Sequence, residues 1–215
     1  PCRNMSELAY TLLSDGSSDR MLMPAIDWLL GVHAARLFYG QWADLRRLPR
    51  PPKLLGGRIQ TALELYPCAL LFVHRDAENA SRQTRVTEID EALAHSVNTT
   101  RVPVIPVRMQ EAWFLFDEAA IREAAGNPYG SKDLSLPPLK NVEQIPDPKA
   151  VLDWTLSTAS DLHGRRLAKM KLGQAKHRLS TLITDFAPLR EVPAFAALEK
   201  ELASVLVLNG WIRPP

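Results

Sequence analysis

The stretch that most constrains this chain is Cys68-Ala69-Leu70-Leu71-Phe72-Val73, an unbroken apolar run with Pro67 before it and His74-Arg75-Asp76-Ala77-Glu78 after it. A run this short suits a strand. Without polar alternation it needs cover on both faces, as in the interior of a parallel sheet. Asp76 and Glu78 then fall where that strand ends. In open α/β sheets ligands gather outside the carboxyl ends of the strands. Two carboxylates delivered there suit a hard, oxygen-seeking cation such as Mg2+ or Mn2+. The plain alternative is that Asp76 caps the next helix and Glu78 favours its first turn.

The segments around this strand predict an α/β alternation. Glu7–Leu13 reads as the first strand, ending in the turn Ser14-Asp15-Gly16-Ser17-Ser18-Asp19. A helix follows, with Leu22, Ile26, Leu29 and Leu30 at helical spacing, Ser17 or Ser18 as its cap and Pro24 in its first turns. Leu37–Trp42 is the second strand, Arg46–Pro52 a Pro/Arg-rich loop and Gly57–Tyr66 a short helix. After the central strand, Ser81–Val97 is a charged helix carrying Val86, Ile89, Leu93 and Val97. Val102–Met109 is a strand whose Pro103 and Pro106 argue for an edge or irregular position. Glu111–Asp117 opens the next helix. Such alternation calls for a parallel sheet covered by helices. The sheet domain is expected over 5–125 and a Pro-rich connector over 126–149. A C-terminal helical segment fills 150–215, with helices at Ala150–Asp161, Gly173–Phe186 and Pro193–Leu208.

At 215 residues with 46% apolar and 23% charged side chains, the chain has the balance of an ordinary globular protein. No apolar stretch approaches the roughly 20 residues of a membrane span, and no signal-peptide pattern is present. Met5 reads as a natural start. Cys2 and Cys68 are too few for a zinc site or a disulfide scaffold, so a cytoplasmic location is expected. His33, His74, His95, His163 and His177 share no ligand spacing. His74 reads as a structural histidine, with phosphate contact the alternative. Phosphate-loop and nucleophile-elbow spacings are missing.

Three predicted strand ends carry acids: Asp15 and Asp19, then Asp76 and Glu78, then Glu111. In a parallel sheet those turns share an edge, where five carboxylates repel unless cations or shared protons intervene. Divalent ions held there can align water and phosphate for displacement. For each acid a turn, cap or first-turn role is the alternative.

Asp15-Gly16-Ser17-Ser18-Asp19 after one strand, followed by Asp76-Ala77-Glu78 after another, resembles the Toprim pattern of topoisomerases, bacterial primases and overcoming-lysogenization-defect nucleases. Glu111-Ala112-Trp113-Phe114-Leu115-Phe116-Asp117 is similar to a stretch in small stand-alone Toprim-like proteins, often encoded beside ABC or AAA ATPases. The resemblance covers Glu7 to Glu123. It departs at Asp15, where Glu is usual, and at Glu78, where a second Asp is more common. It implies a parallel Toprim/Rossmann-like sheet and a Mg2+- or Mn2+-dependent nuclease, the effector beside an ATPase in phage defence. Asp15, Asp76 and Glu111 would be catalytic, and Asp15, Asp19, Asp76, Glu78 and Glu111 the metal ligands. The rival readings are a non-catalytic interaction subunit and another phosphoryl-transfer enzyme.

The net charge is only +2, yet between Asp161 and Asp185 there is no acid. Arg165, Arg166, Lys169, Lys171, Lys176 and Arg178 all fall there and are expected to meet nucleic-acid phosphates. A solvated helix face is the alternative. Arg46, Arg47, Arg50 and Lys53 form a smaller basic loop with the same two readings.

Overall fold

The computed structural model describes residues 7–94 and 99–214. His95 and Val97, along with Cys2 and Met5, lie outside them. Four strands, β1 (Leu8–Leu13), β2 (Phe38–Ala43), β3 (Leu70–His74) and β4 (Arg101–Val104), form one sheet in the order β2-β1-β3-β4. Every pairing is parallel, with Leu12 opposite Trp42 and Phe72, and Val73 opposite Pro103. The α/β parallel architecture is therefore as expected, and β3 is interior and buried at all five positions. The long fourth strand is not formed: β4 stops at Val104 and Pro106 follows, where a proline cannot donate to a ladder.

The chain forms two compact units. The first comprises residues 1–105 and 197–215, and the second residues 106–196. In the first unit α1 (Met23–His33), α2 (Leu55–Leu65) and α3 (Arg82–Leu93) supply the crossovers that parallel strands require. Leu13, Leu71 and Val73 cluster with Ile59 and Ala62 of α2 and Ile89 of α3. By the period of two, Tyr10, Leu12 and Phe72 stand on the opposite face, Tyr10 and Phe72 edge to face at 5.4 Å. Leu70 to Val73 are fully buried, and each such apolar side chain contributes about 1.5–3 kcal/mol.

A short 3-10 turn, Ser18–Leu22, leads into α1, with Pro24 in its opening positions. Helix α3 is capped by Ser81, whose hydroxyl accepts from the Thr84 N–H at 3.1 Å. The first unit is completed by the end of α8 (Pro193–Leu208) and the residues after it. Ile212 bridges Ala34, the Ala35 N–H donates to Trp211 and the Arg213 N–H to His33.

The second unit holds α4 (Glu118–Ala124), α5 (Pro148–Ala159), α6 (Gly164–Ala168) and α7 (Leu172–Leu182). Asp117 and Asp147 cap α4 and α5. Residues 110–114, expected to open an α-helix, form a 3-10 helix with Trp113 set edge to face on Phe195 at 5.2 Å. The stretch 126–149, expected as a connector, lies inside this unit and buries Leu134 and Val142. Among the described residues no helix is long and apolar enough to cross a membrane.

Candidate functional site

The connection after β1 runs to β2 on one side, while β3 and β4 lie on the other. The carboxyl ends of β1 and β3 are thus neighbours at a topological switch point, the place where open α/β sheets receive ligands. β1 delivers Ser14 and Asp15 there, and β3 delivers His74 and the Arg75-Asp76-Ala77-Glu78 turn.

His74 is the centre of this edge. It is the last residue of β3, on the Phe72 face, and only 2% exposed. Its Nδ1 lies 3.4 Å from Asp19 Oδ2 and its Nε2 lies 3.3 Å from Asp76 Oδ1. Burial pushes the ring toward neutrality, but the two flanking carboxylates outweigh it and raise its pKa to about 9. Asp19 is the counterpart. Burial pushes its pKa up, whereas the His74 ring, the Gly16 N–H at 2.7 Å and the Ser18 hydroxyl at 3.0 Å bring it down to about 2. The His74 ring thus lies between a carboxylate of the β1 turn and one of the β3 turn.

The other acids of the first unit are held by arginines. Asp15, half-exposed, pairs with Arg58 of α2 and lies 3.8 Å from Arg75 Nε. Arg58 also donates to the Ser14 carbonyl. Glu78, at φ +52°, pairs with Arg85 of α3 at 3.4 Å. Arg85 further donates to the Asp76 carbonyl and to Glu88. Asp76 is therefore not the cap of α3: Ser81 is, and the Asp76 carboxylate turns to His74. Asp19 does close its turn, as the alternative had it, while also meeting His74.

Beside Asp15 opens a cleft of about 220 Å³, bordered by Ser14, Trp42, Asp44, Arg46, Lys53 and Arg58. The Trp42 N–H donates to the Ser14 hydroxyl at 3.0 Å, and Arg46 lies over the indole at 5.3 Å. Arg46 and Arg47 bind Asp44 at 2.8 and 3.1 Å, and the Arg46 bond, opposed by what burial there is, lowers the Asp44 pKa.

The carboxyl chemistry suits a hard cation, and Asp76 Oδ1 is buried without a hydrogen bond. The arrangement does not. Among the described residues no three His, Cys, Asp or Glu side chains form a group able to hold a metal ion. Each acid of this edge already faces a cation, and the His74 charge stands between Asp19 and Asp76. As placed, these residues do not fit Mg2+ or Mn2+.

Glu111 belongs to the second unit, in the 3-10 helix before α4, and is buried. Lys176 Nζ lies 3.8 Å from its Oε1 and 3.0 Å from Asp153 Oδ1 of α5. That corrects the basic block: Lys176 is buried with its charge turned inward and offers nothing to a nucleic acid. Arg165, Arg166, Lys169, Lys171 and Arg178 are exposed, Arg178 lying 3.6 Å from Glu123.

Along the chain His74 reads as a structural histidine or a phosphate contact, not as the partner of Asp19 and Asp76, and Arg58, Arg75 and Arg85 carry no expected role. The available signal was His74-Arg75 directly before Asp76, a cationic pair inside the strand-end motif. Comparison with family models, with curated proteins and with solved structures finds no match to this chain.

Proposed function

We propose that the first unit binds a phosphodiester backbone at the carboxyl edge of its sheet. The observation that carries this reading is the cleft lined by Arg46, Lys53 and Arg58 at the ends of β1 and β2. Phosphate oxygens are matched by guanidinium forks and by ammonium groups. Asp15 and Asp44 hold two of those cations in place at the cleft, and Trp42 offers an aromatic wall. The resemblance to Toprim proteins adds a nucleic acid as ligand and an ATPase as partner to this proposal.

Hydrolysis of the bound backbone is the second reading, and it comes from the resemblance to Toprim nucleases. That chemistry calls for a divalent ion. Because the acids as placed do not fit one, no hydrolytic step is assigned, and the interaction-subunit reading gains by the same observation.

Labelled single-stranded and duplex DNA and RNA, incubated with the chain with and without Mn2+, test both. Uncleaved binding that weakens in Arg46→Ala/Lys53→Ala supports the first reading. Cleavage that needs Mn2+ and is lost in Asp76→Asn establishes the second. Absence of binding to any of the four, or binding indifferent to the two substitutions, overturns the proposal.

A further inference from the structure

The second unit carries a cleft of its own. It measures about 410 Å³ and is bordered by Ala124 at the end of α4 and Gly126 beyond it, and by Lys169, Lys171, Gln174 and Arg178 around the start of α7. Among the described residues no carboxylate lines it. We propose that this acid-free basic cleft is a phosphate-binding site that takes the backbone of a single-stranded nucleic acid.

Four observations support the assignment. The three cations at the cleft are exposed, unlike their neighbour Lys176. Arg165 and Arg166 of α6 continue the positive charge beside it in the chain, so the array suits a polyanion rather than a single ion. Next, α7 begins at the cleft, and the first N–H groups of a helix have no partner within it and carry its positive end. Gly173 leaves that end open, since the space a Cβ would fill is empty. Third, Met170 and Ala124 give the cleft an apolar side against which a sugar or base can lie. Lastly, the Arg178 contact with Glu123 is a half-exposed pair at 3.6 Å, a weak interaction that a phosphate can replace.

All of these residues belong to the second unit, so the inference stands apart from the first-unit proposal, and variants separate the two. Fluorescence anisotropy of a labelled oligothymidylate with the full chain, over a salt series, is the test. Lys169→Ala/Lys171→Ala/Arg178→Ala should weaken binding by at least about tenfold and flatten the log–log salt slope by about 2, at roughly 0.7 per lost phosphate contact. Gln174→Glu puts a carboxylate into the cleft and should weaken binding in the same direction with unchanged melting behaviour. Arg46→Ala/Lys53→Ala should leave the contribution of these three cations intact. If both second-unit variants bind like wild type, the cleft is only solvated surface. If polyglutamate displaces the oligonucleotide at equal charge concentration, the site is an acidic-protein surface. Either result overturns the inference.

Discussion

Replacing His74 by Gln removes the charge that links the two strand-end turns, and the pH dependence of the loss tests the arrangement. An ordinary histidine titrates at 6.5 and His74 at about 9. At 1.36 kcal/mol per unit that difference corresponds to about 3 kcal/mol of native-state stabilisation. The folded-state pKa is the higher one, so the contribution is complete below 6.5 and disappears as pH rises through about 9. The lowered pKa of Asp19 is the other side of the same contact and is not added to it. It marks the acid limb: its contribution is present above 3.8 and is lost as pH falls through about 2. Urea unfolding of wild type and His74→Gln from below 6.5 to above 9 gives a difference curve in which the other titrating groups cancel. The stability gap should narrow by about 3 kcal/mol across that window. NMR titration of the His74 ring reads the same quantity directly. A ring that titrates near 6.5, or a gap that stays constant, refutes the reasoning.

Lys176→Met leaves Asp153 and the buried Glu111 without this ammonium and should cost about 3 kcal/mol in thermal or chemical unfolding. The same variant should keep the wild-type salt slope for oligonucleotide binding, the reverse of what is expected for Lys169 and Lys171. Ser81→Ala should lower stability by about 1 kcal/mol through loss of the α3 cap. Asp76→Asn, by contrast, should lower the pKa of His74 in an NMR titration while leaving the α3 cap in place.

The parallel sheet was readable because β1 and β3 have the composition that burial on both faces demands, and because Pro67 and the charged turn mark their limits. Helix α8 was readable at both ends, with Pro193 opening it and Gly210 following Leu208 and Asn209. The centre of the candidate site was not. His74 has no spacing to another histidine, and its role comes from two acids brought to it by separate turns 55 and 2 residues away in sequence. Asp76 as a cap and Asp76 as a partner of His74 look the same along the chain, and Ser81 decides between them only once the helix start is fixed. Lys176 misled for a different reason. A run of basic residues shows charge but not direction, and the helical period puts Lys176 beside Ala175, Leu179 and Ser180 on the buried side of α7. The two-unit division was hidden because the closing segment of the first unit lies at the far end of the chain.

That interrupted course bears on how the molecule is made. The contacts of His33 with Glu199 and of Arg82 with Glu201, and the bridge from Ala34 to Ile212, tie residues near the start of the chain to residues near its end. During synthesis the four strands emerge first, yet the segment that finishes their unit follows only after all of residues 106–196. The intervening unit has its whole sequence in hand earlier and can form from local contacts, while the sheet waits with one part of its cover missing. Pairings so distant in sequence are the slow ones to close. The order of maturation is therefore inverted relative to the order along these residues: the unit formed by 106–196 can be finished before the unit whose segments lie on either side of it.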